Sequence, residues 1–228
     1  MSTSFQIDPA DTALLIIDMQ NGFCDPEGTL GLGGVDVAPM QASIPGIRRL
    51  VGLARERGIP DIWSRQFHYP VDRTREGHRI GSHVLKRPRP ACMPGTWDAE
   101  IVDGLRDLLR PDTEIIDKHK FSCFFDTRLH SLLRILGTRM LIVGGTATNT
   151  CVEATIRDAY MRDFDVVVAR EGVSGVNAAW HDSALEVWDR YFGAVLSVDD
   201  IEAALPNLPT DVATAAPTAA PPAVARTA

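Results

Sequence analysis

Cysteine is scarce in this sequence. Cys24, Cys92, Cys123 and Cys151 are the four in 228 residues, and no two form a C-x-x-C pair. That excludes a zinc-binding pattern and a small disulfide scaffold. Free thiols in a reducing, cytoplasmic compartment are the expectation. Basic residues are in deficit: 23 Lys and Arg against 30 Asp and Glu leave a net charge of −7, which argues against a nucleic-acid partner. Long apolar runs are missing too. Stretches such as Ala13–Ile17 and Met140–Val143 fall far short of the ~20 residues that cross a bilayer, so no membrane partner is expected. Met1–Pro9 has neither a basic n-region nor an apolar h-region and does not read as a signal peptide. What is present is an ordinary globular composition, 45% hydrophobic and 23% charged. It rules out a disordered or fibrous chain, and the length suits one domain that needs neither disulfide nor structural metal.

The end of the chain differs in kind. In Asn207–Ala228, 16 of 22 residues are Ala, Pro or Thr, with little to bury, so residues 206–228 are expected to form a flexible tail. The folded domain is placed at 8–205. Within it, strand and helix patterns alternate. Short apolar runs predict strands at Ala13–Asp18, Pro60–Ser64, Glu114–Asp117, Met140–Val143, Asp165–Ala169 and Ala194–Val198. Helical spacing marks Met40–Arg57, where Ile47, Leu50, Val51 and Ala54 share a face, and Asp126–Leu136, with Leu129, Leu132, Leu133 and Leu136. It also marks Cys151–Arg162, with Val152, Ile156, Ala159 and Tyr160 facing in, and Asn177–Arg190. Unalternating strands between helices imply a mainly parallel six-stranded sheet covered on both faces: an α/β three-layer sandwich of Rossmann-like type. The segment Phe67–Gly95 breaks the rhythm. It carries His68, Arg73, Arg75, His78, Arg79, His83, Lys86, Arg87 and Arg89, and a loop of that length suits a lid or binding loop.

Ligands of open α/β sheets bind beyond the carboxyl ends of the strands. Three chemically able side chains converge there: Asp18 closes the first strand, Lys118 follows the third, and Cys151 opens the helix after the fourth. A thiol in the first turn of a helix feels the positive end of the macrodipole, which lowers its pKa, and a neighbouring lysine lowers it further. Thr150 and Glu153 stand at capping-box spacing. The small residues Gly144–Thr150 allow backbone N–H groups to turn toward a bound oxygen. Asp18 is suited to take the thiol proton and return it to a leaving amine, and Lys118 to hold thiolate and carboxylate together. Each residue alone has a blander use: a buried hydrophobe, a turn residue, a surface charge.

Three ordered segments then match a known pattern. Asp18-Met19-Gln20-Asn21-Gly22-Phe23, Lys118-His119-Lys120-Phe121-Ser122-Cys123-Phe124, and Gly145-Thr146-Ala147-Thr148-Asn149-Thr150-Cys151-Val152-Glu153 resemble the signatures of the isochorismatase-like cysteine hydrolases over about residues 10–200. The resemblance implies an Asp18, Lys118, Cys151 triad and a cis peptide between Thr146 and Ala147. It also implies an oxyanion hole of the Ala147 and Cys151 N–H groups, and a thioester intermediate. Phe23 would wall the pocket; Gln20 and Asn21 would either bind a ureido group or orient Asp18. The Asp and second His of the metal-binding, nicotinamidase-like branch are missing from Ser64-Arg65-Gln66-Phe67-His68-Tyr69-Pro70. No metal and no cofactor are therefore expected, and His68 becomes a pocket or structural residue. The motifs look closest to the ureido and N-carbamoyl branch, whose members act on biuret, ureidoacrylate or N-carbamoylsarcosine with release of ammonia. Arginines of the 67–95 loop either bind a substrate carboxylate, or are solvated or make a subunit contact. Glu171-Gly172 stands where relatives often have Asp-Ala, in the stretch with Ser174, Asn177 and Trp180 that shapes the pocket, and this leaves the substrate open. The expected partner is a small amide or ureido compound, and the expected state a homo-oligomer, dimer or tetramer. The rivals are another amide substrate such as maleamate, and a non-hydrolytic protein with a redox-sensitive thiol.

Overall fold

In the computed structural model, which describes residues 5–69, 87 and 89–206, the strand β1 (Thr12–Ile17) is buried along its whole length. Its side chains divide by parity, as a pleated strand requires. Leu14 and Ile16 enter one apolar layer with Ile47, Leu50 and Val51 of α4 (Ile44–Glu56) and Ile201 of α9 (Val198–Ala204). Ala13, Leu15 and Ile17 enter the other. There they meet Leu129 and Leu133 of α6 (Leu129–Ile135), Ile156 and Ala159 of α7 (Glu153–Tyr160), and Leu185 and Trp188 of α8 (Ala178–Tyr191).

The remaining strands are β2 (Asp61–Gln66), β3 (Glu114–Lys118), β4 (Met140–Thr146), β5 (Asp165–Ser174) and β6 (Ala194–Leu196). They form one sheet in the order β3-β2-β1-β4-β5-β6, and every neighbouring pair is parallel. The chain moves outward one way through β1, β2 and β3, then returns to β4 and moves the other way. The crevice between β1 and β4 is therefore the topological switch point, where such sheets hold their ligands. Short helices α1 (Asn21–Cys24), α2 (Thr29–Leu32) and α3 (Ala38–Ala42) follow β1, and α5 (Asp103–Arg106) precedes β3. No helix among the described residues is long and apolar enough to cross a membrane.

Several boundaries differ from the sequence expectation. The helix expected from Met40 is two helices, α3 and α4, meeting at Ser43. Pro45 sits in the first turn of α4, where its missing N–H is not needed. The helix expected from Asp126 starts at Leu129, and Leu136 is 39% exposed rather than inward. Tyr160, also expected inside, is 48% exposed. β5 runs past Arg170 to Ser174, where Gly145 pairs with Val173 and Thr146 with Ser174 after a register shift. Glu171, whose charge reads as a strand end, accepts the Val198 N–H at 2.9 Å and caps α9. Arg73, Arg75, His78, Arg79, His83 and Lys86 of the loop, and the tail from 207 onward, lie outside the described residues.

Candidate active site

The site begins where β1 stops. Asp18 has φ 52°, a left-handed conformation that Asp tolerates better than most residues because its short polar side chain bonds locally. Its carboxylate is held from two neighbouring strands. Ser64 Oγ in β2 donates to Oδ1 at 2.6 Å, and Lys118 Nζ at the end of β3 donates to Oδ2 at 2.7 Å. The Asp18 and Lys118 side chains are both fully buried. The ammonium uses its other donors on Gln66 Oε1 (2.8 Å) and the Lys120 carbonyl (3.1 Å), so its three protons are all accounted for. Burial, the largest single influence, works against this charge, but the Asp18 carboxylate together with the nearby Cys151 and Cys123 holds Lys118 above the ordinary lysine value.

Across the switch point, β4 ends in a cis peptide between Thr146 and Ala147. Gly145 lies beside Ile17 with φ 120°; a Cβ there would stand 2.1 Å from the Ile17 carbonyl oxygen, so only glycine lets β4 approach β1 this closely. Cys151 follows in a π-helical turn, Thr148–Val152, and α7 proper starts at Glu153. This corrects two expectations. There is no capping box: Thr150 Oγ1 donates to the Ala147 carbonyl and Glu153 pairs with Arg157. Nor is the thiol acidified. Burial pushes the Cys151 thiol up; Lys118 opposes this, but the Asp18 charge and a hydrogen bond with Asp18 push it further up. These influences favour the neutral thiol beside the Asp18 carboxylate. Passing the proton to Asp18 leaves the net charge of the buried trio unchanged, which avoids the cost of creating an uncompensated charge in low dielectric.

Cys151 opens onto a cavity of about 430 Å³. Among the described residues its lining includes Phe23, Leu30, Val35, Phe121 and Val176 as apolar walls, with Thr146, Ala147 and Thr150 beside the cysteine. His68 and Arg87 complete one side; Arg87 NH1 lies 3.4 Å from His68 Nε2, and its guanidinium 5.8 Å from the Phe23 ring centre. Arg89 points elsewhere, donating to Thr29 Oγ1 at 3.1 Å. Asp98 ties this wall together by accepting from Thr29 N–H (3.0 Å), Thr29 O–H (2.8 Å) and Cys92 N–H (2.7 Å).

Phe23 thus faces the cavity, whereas Gln20 and Asn21 do not. Gln20 is fully buried, with its amide spent on backbone: Nε2 donates to the carbonyls of Gln66 and Ala99, and Oε1 accepts the Gln66 N–H. Asn21 Nδ2 donates to the Trp97 carbonyl. Buried polar groups bond where partners are nearest, and here their amide donors are taken up by the backbone carbonyls of Gln66, Trp97 and Ala99. Ser174 and Asn177 are likewise structural, at a strand end and as the N-cap of α8. The residues that sequence reasoning passed over are Ser64 and Gln66, on the neighbouring strand, and Leu30, Val35 and Val176. A strand interior carrying Ser and Gln at alternate positions, 64 and 66, is the signal that was there for the first two: both point to one face, and both reach Asp18 or Lys118.

Comparison with known proteins settles the family. The isochorismatase domain model matches residues 12–200. The chain belongs to the isochorismatase family. Within that family it is 35% identical over 206 residues to ureidoacrylate amidohydrolase RutB of Methylorubrum extorquens, covering 85% of this chain and 82% of that protein. Among solved structures, a cysteine hydrolase from Pseudomonas syringae pv. phaseolicola superposes with a TM-score of 0.73 at 26% identity, covering 90% of this chain and 100% of the other. N-carbamoylsarcosine amidase from Thermoplasma acidophilum gives 0.66 at 23% identity, over 83% and 97% of the two chains, a likeness of fold. Among the described residues of this isochorismatase-family site, no group of three or more His, Cys, Asp or Glu is placed to hold a metal ion.

Proposed function

We propose that this isochorismatase-family hydrolase cleaves the C–N bond of a small ureido or N-carbamoyl compound through a thioester on Cys151. The class, a hydrolase of amide C–N bonds, follows from the family and its relatives. The finer reading is carried by one arrangement: Cys151 opening onto a cavity, with the Asp18 carboxylate beside its thiol and Lys118 holding that carboxylate at 2.7 Å. Similarity to a ureidoacrylate amidohydrolase supports the substrate class. The catalytic domain is assigned to residues 8–205.

Cys151 Sγ attacks the carbonyl carbon as its proton passes to Asp18, which acts as base within the field of Lys118. The oxygen of the tetrahedral adduct turns to the Ala147 and Cys151 N–H groups. Asp18 returns the proton to the nitrogen, the C–N bond breaks, and ammonia or an amine departs. Water then attacks the thioester, Asp18 takes its proton, the C–S bond breaks and the thiol is regenerated with the acid.

The test is ammonia release from ureidoacrylate, N-carbamoylsarcosine, biuret, maleamate and nicotinamide. A carbamate product decomposes to ammonia, so the assay reads cleavage on either side of the carbonyl. Wild type should turn over a ureido compound, and Cys151→Ala should lose about 10³-fold or more of kcat with its fold intact. Activity confined to maleamate or nicotinamide would discard the substrate class; full activity of Cys151→Ala would discard the mechanism.

A further inference from the structure

We infer that Ser64 is a positioning residue that fixes the rotation of the Asp18 carboxylate toward Cys151. The inference rests on the reading above that Asp18 exchanges a proton with the thiol. A carboxylate turns easily about its terminal torsion, which is broad and two-fold. Lys118 restrains one oxygen, but an ammonium with rotatable donors on a flexible stem tolerates some swing of its acceptor. Ser64 removes that freedom. Its Oγ donates to the opposite oxygen at 2.6 Å, within the range of a short charge-assisted bond, so any rotation of the carboxylate breaks both contacts together.

The hydroxyl is itself fixed. Ser64 is fully buried in β2, and the Asp18 N–H approaches its Oγ at 3.3 Å. On the other side of the site, the Cys123 N–H donates to Thr155 Oγ1 at 3.0 Å, and that hydroxyl donates to the Cys151 carbonyl at 2.7 Å. The turn that carries the thiol and the Asp18 carboxylate are thus each held by buried groups, and turning the carboxylate would change its aim at the sulfur.

The experiment compares wild type, Ser64→Ala and Ser64→Thr on whichever amide the wild type turns over, with thermal unfolding as the control for folding. Ser64→Ala should lower kcat about 10- to 100-fold, the scale of a catalytic group misplaced by about an ångström. KM should stay within about twofold, because substrate does not touch the hydroxyl. Ser64→Thr, which restores a hydroxyl, should recover most of kcat. An unchanged kcat in a folded Ser64→Ala protein overturns the inference. A second readout needs no turnover: the rate of Cys151 alkylation by iodoacetamide, located by mass spectrometry, in Ser64→Ala, Asp18→Asn and the double variant. If Ser64 acts through Asp18, the double variant should react no more slowly than Asp18→Asn; additive losses overturn the inference. Coupled alkylation in a wild type that turns over no amide would reject the proposed function and leave the positioning role standing.

Discussion

Replacing Lys118 with methionine keeps the length of the side chain and removes its charge from a closed site. The ammonium makes contacts of 2.7, 2.8 and 3.1 Å with Asp18, Gln66 and the Lys120 carbonyl, and neither member of the ion pair is exposed. Removing one partner of a buried pair costs ~3–5 kcal/mol, because the other charge stays buried without compensation. The Gln66 oxygen also loses its donor, a loss already overlapping that figure. Against a total stability of ~5–15 kcal/mol this is a large share. Adding Asp18→Asn removes the orphaned charge, so the double variant should recover about 2 kcal/mol or more relative to Lys118→Met alone. Urea titration at pH 7, followed through the buried Trp63 and Trp188, measures this from the midpoints at a common slope. Both variants should be inactive, so stability is the informative readout. A double variant no more stable than Lys118→Met would refute the argument that the ammonium serves chiefly to compensate the Asp18 charge.

Alkaline stability provides a second test. Burial is the first cause raising all four thiols, Cys24, Cys92, Cys123 and Cys151, above their ordinary value of 9.0. The folded state keeps protons that the unfolded chain releases, so stability is complete below about pH 9 and falls above it, by ~1.4 kcal/mol per pH unit for each thiol. The thermal midpoint should drop steeply between pH 9 and 10.5, and about a quarter less steeply in Cys24→Ala; a flat profile through that window would contradict the burial argument. Gly145→Ala forces a Cβ to within 2.1 Å of the Ile17 carbonyl oxygen at φ 120°. It should cost ~4 kcal/mol or more, the range reserved for overpacking combined with backbone strain. A near-wild-type melting temperature for this variant would show that β1 and β4 can separate freely.

The architecture was readable because its signals are local. Each strand is a short apolar run, and alternation with helices leaves few topologies once crossovers are right-handed. The chemistry at the sheet edge followed from strand ends, which is why Asp18, Lys118 and Cys151 were found together. The errors share a physical cause, that side chains answer to neighbours distant in sequence. Gln20 has the chemistry of a ligand binder, yet carbonyls 46 and 79 positions away claim its amide. Glu171 stands past the strand end expected at Ala169, yet β5 continues through it and its carboxylate caps α9. The helical spacing after Cys151 is real, but a π-helical turn over Thr148–Val152 delays the α-helix to Glu153, and burial is the first influence on the sulfur, raising it.

The cavity is assembled from two kinds of ground. Its polar floor, Asp18, Ser64 and Lys118, lies toward the carboxyl ends of β1, β2 and β3 and is almost wholly buried, so changes of charge or size there cost stability. Its far wall, around Leu30, Val35 and Val176, belongs to connecting segments that remain partly open to solvent, where substitutions cost little. Mutational risk is therefore unevenly divided. A lineage built on this chain can explore new substrates through the part-exposed Val35 and Val176, whereas the buried Thr29, whose hydroxyl donates to Asp98, is fixed. Drift that removes the charge of Asp18 or Lys118 strikes the site and the fold together.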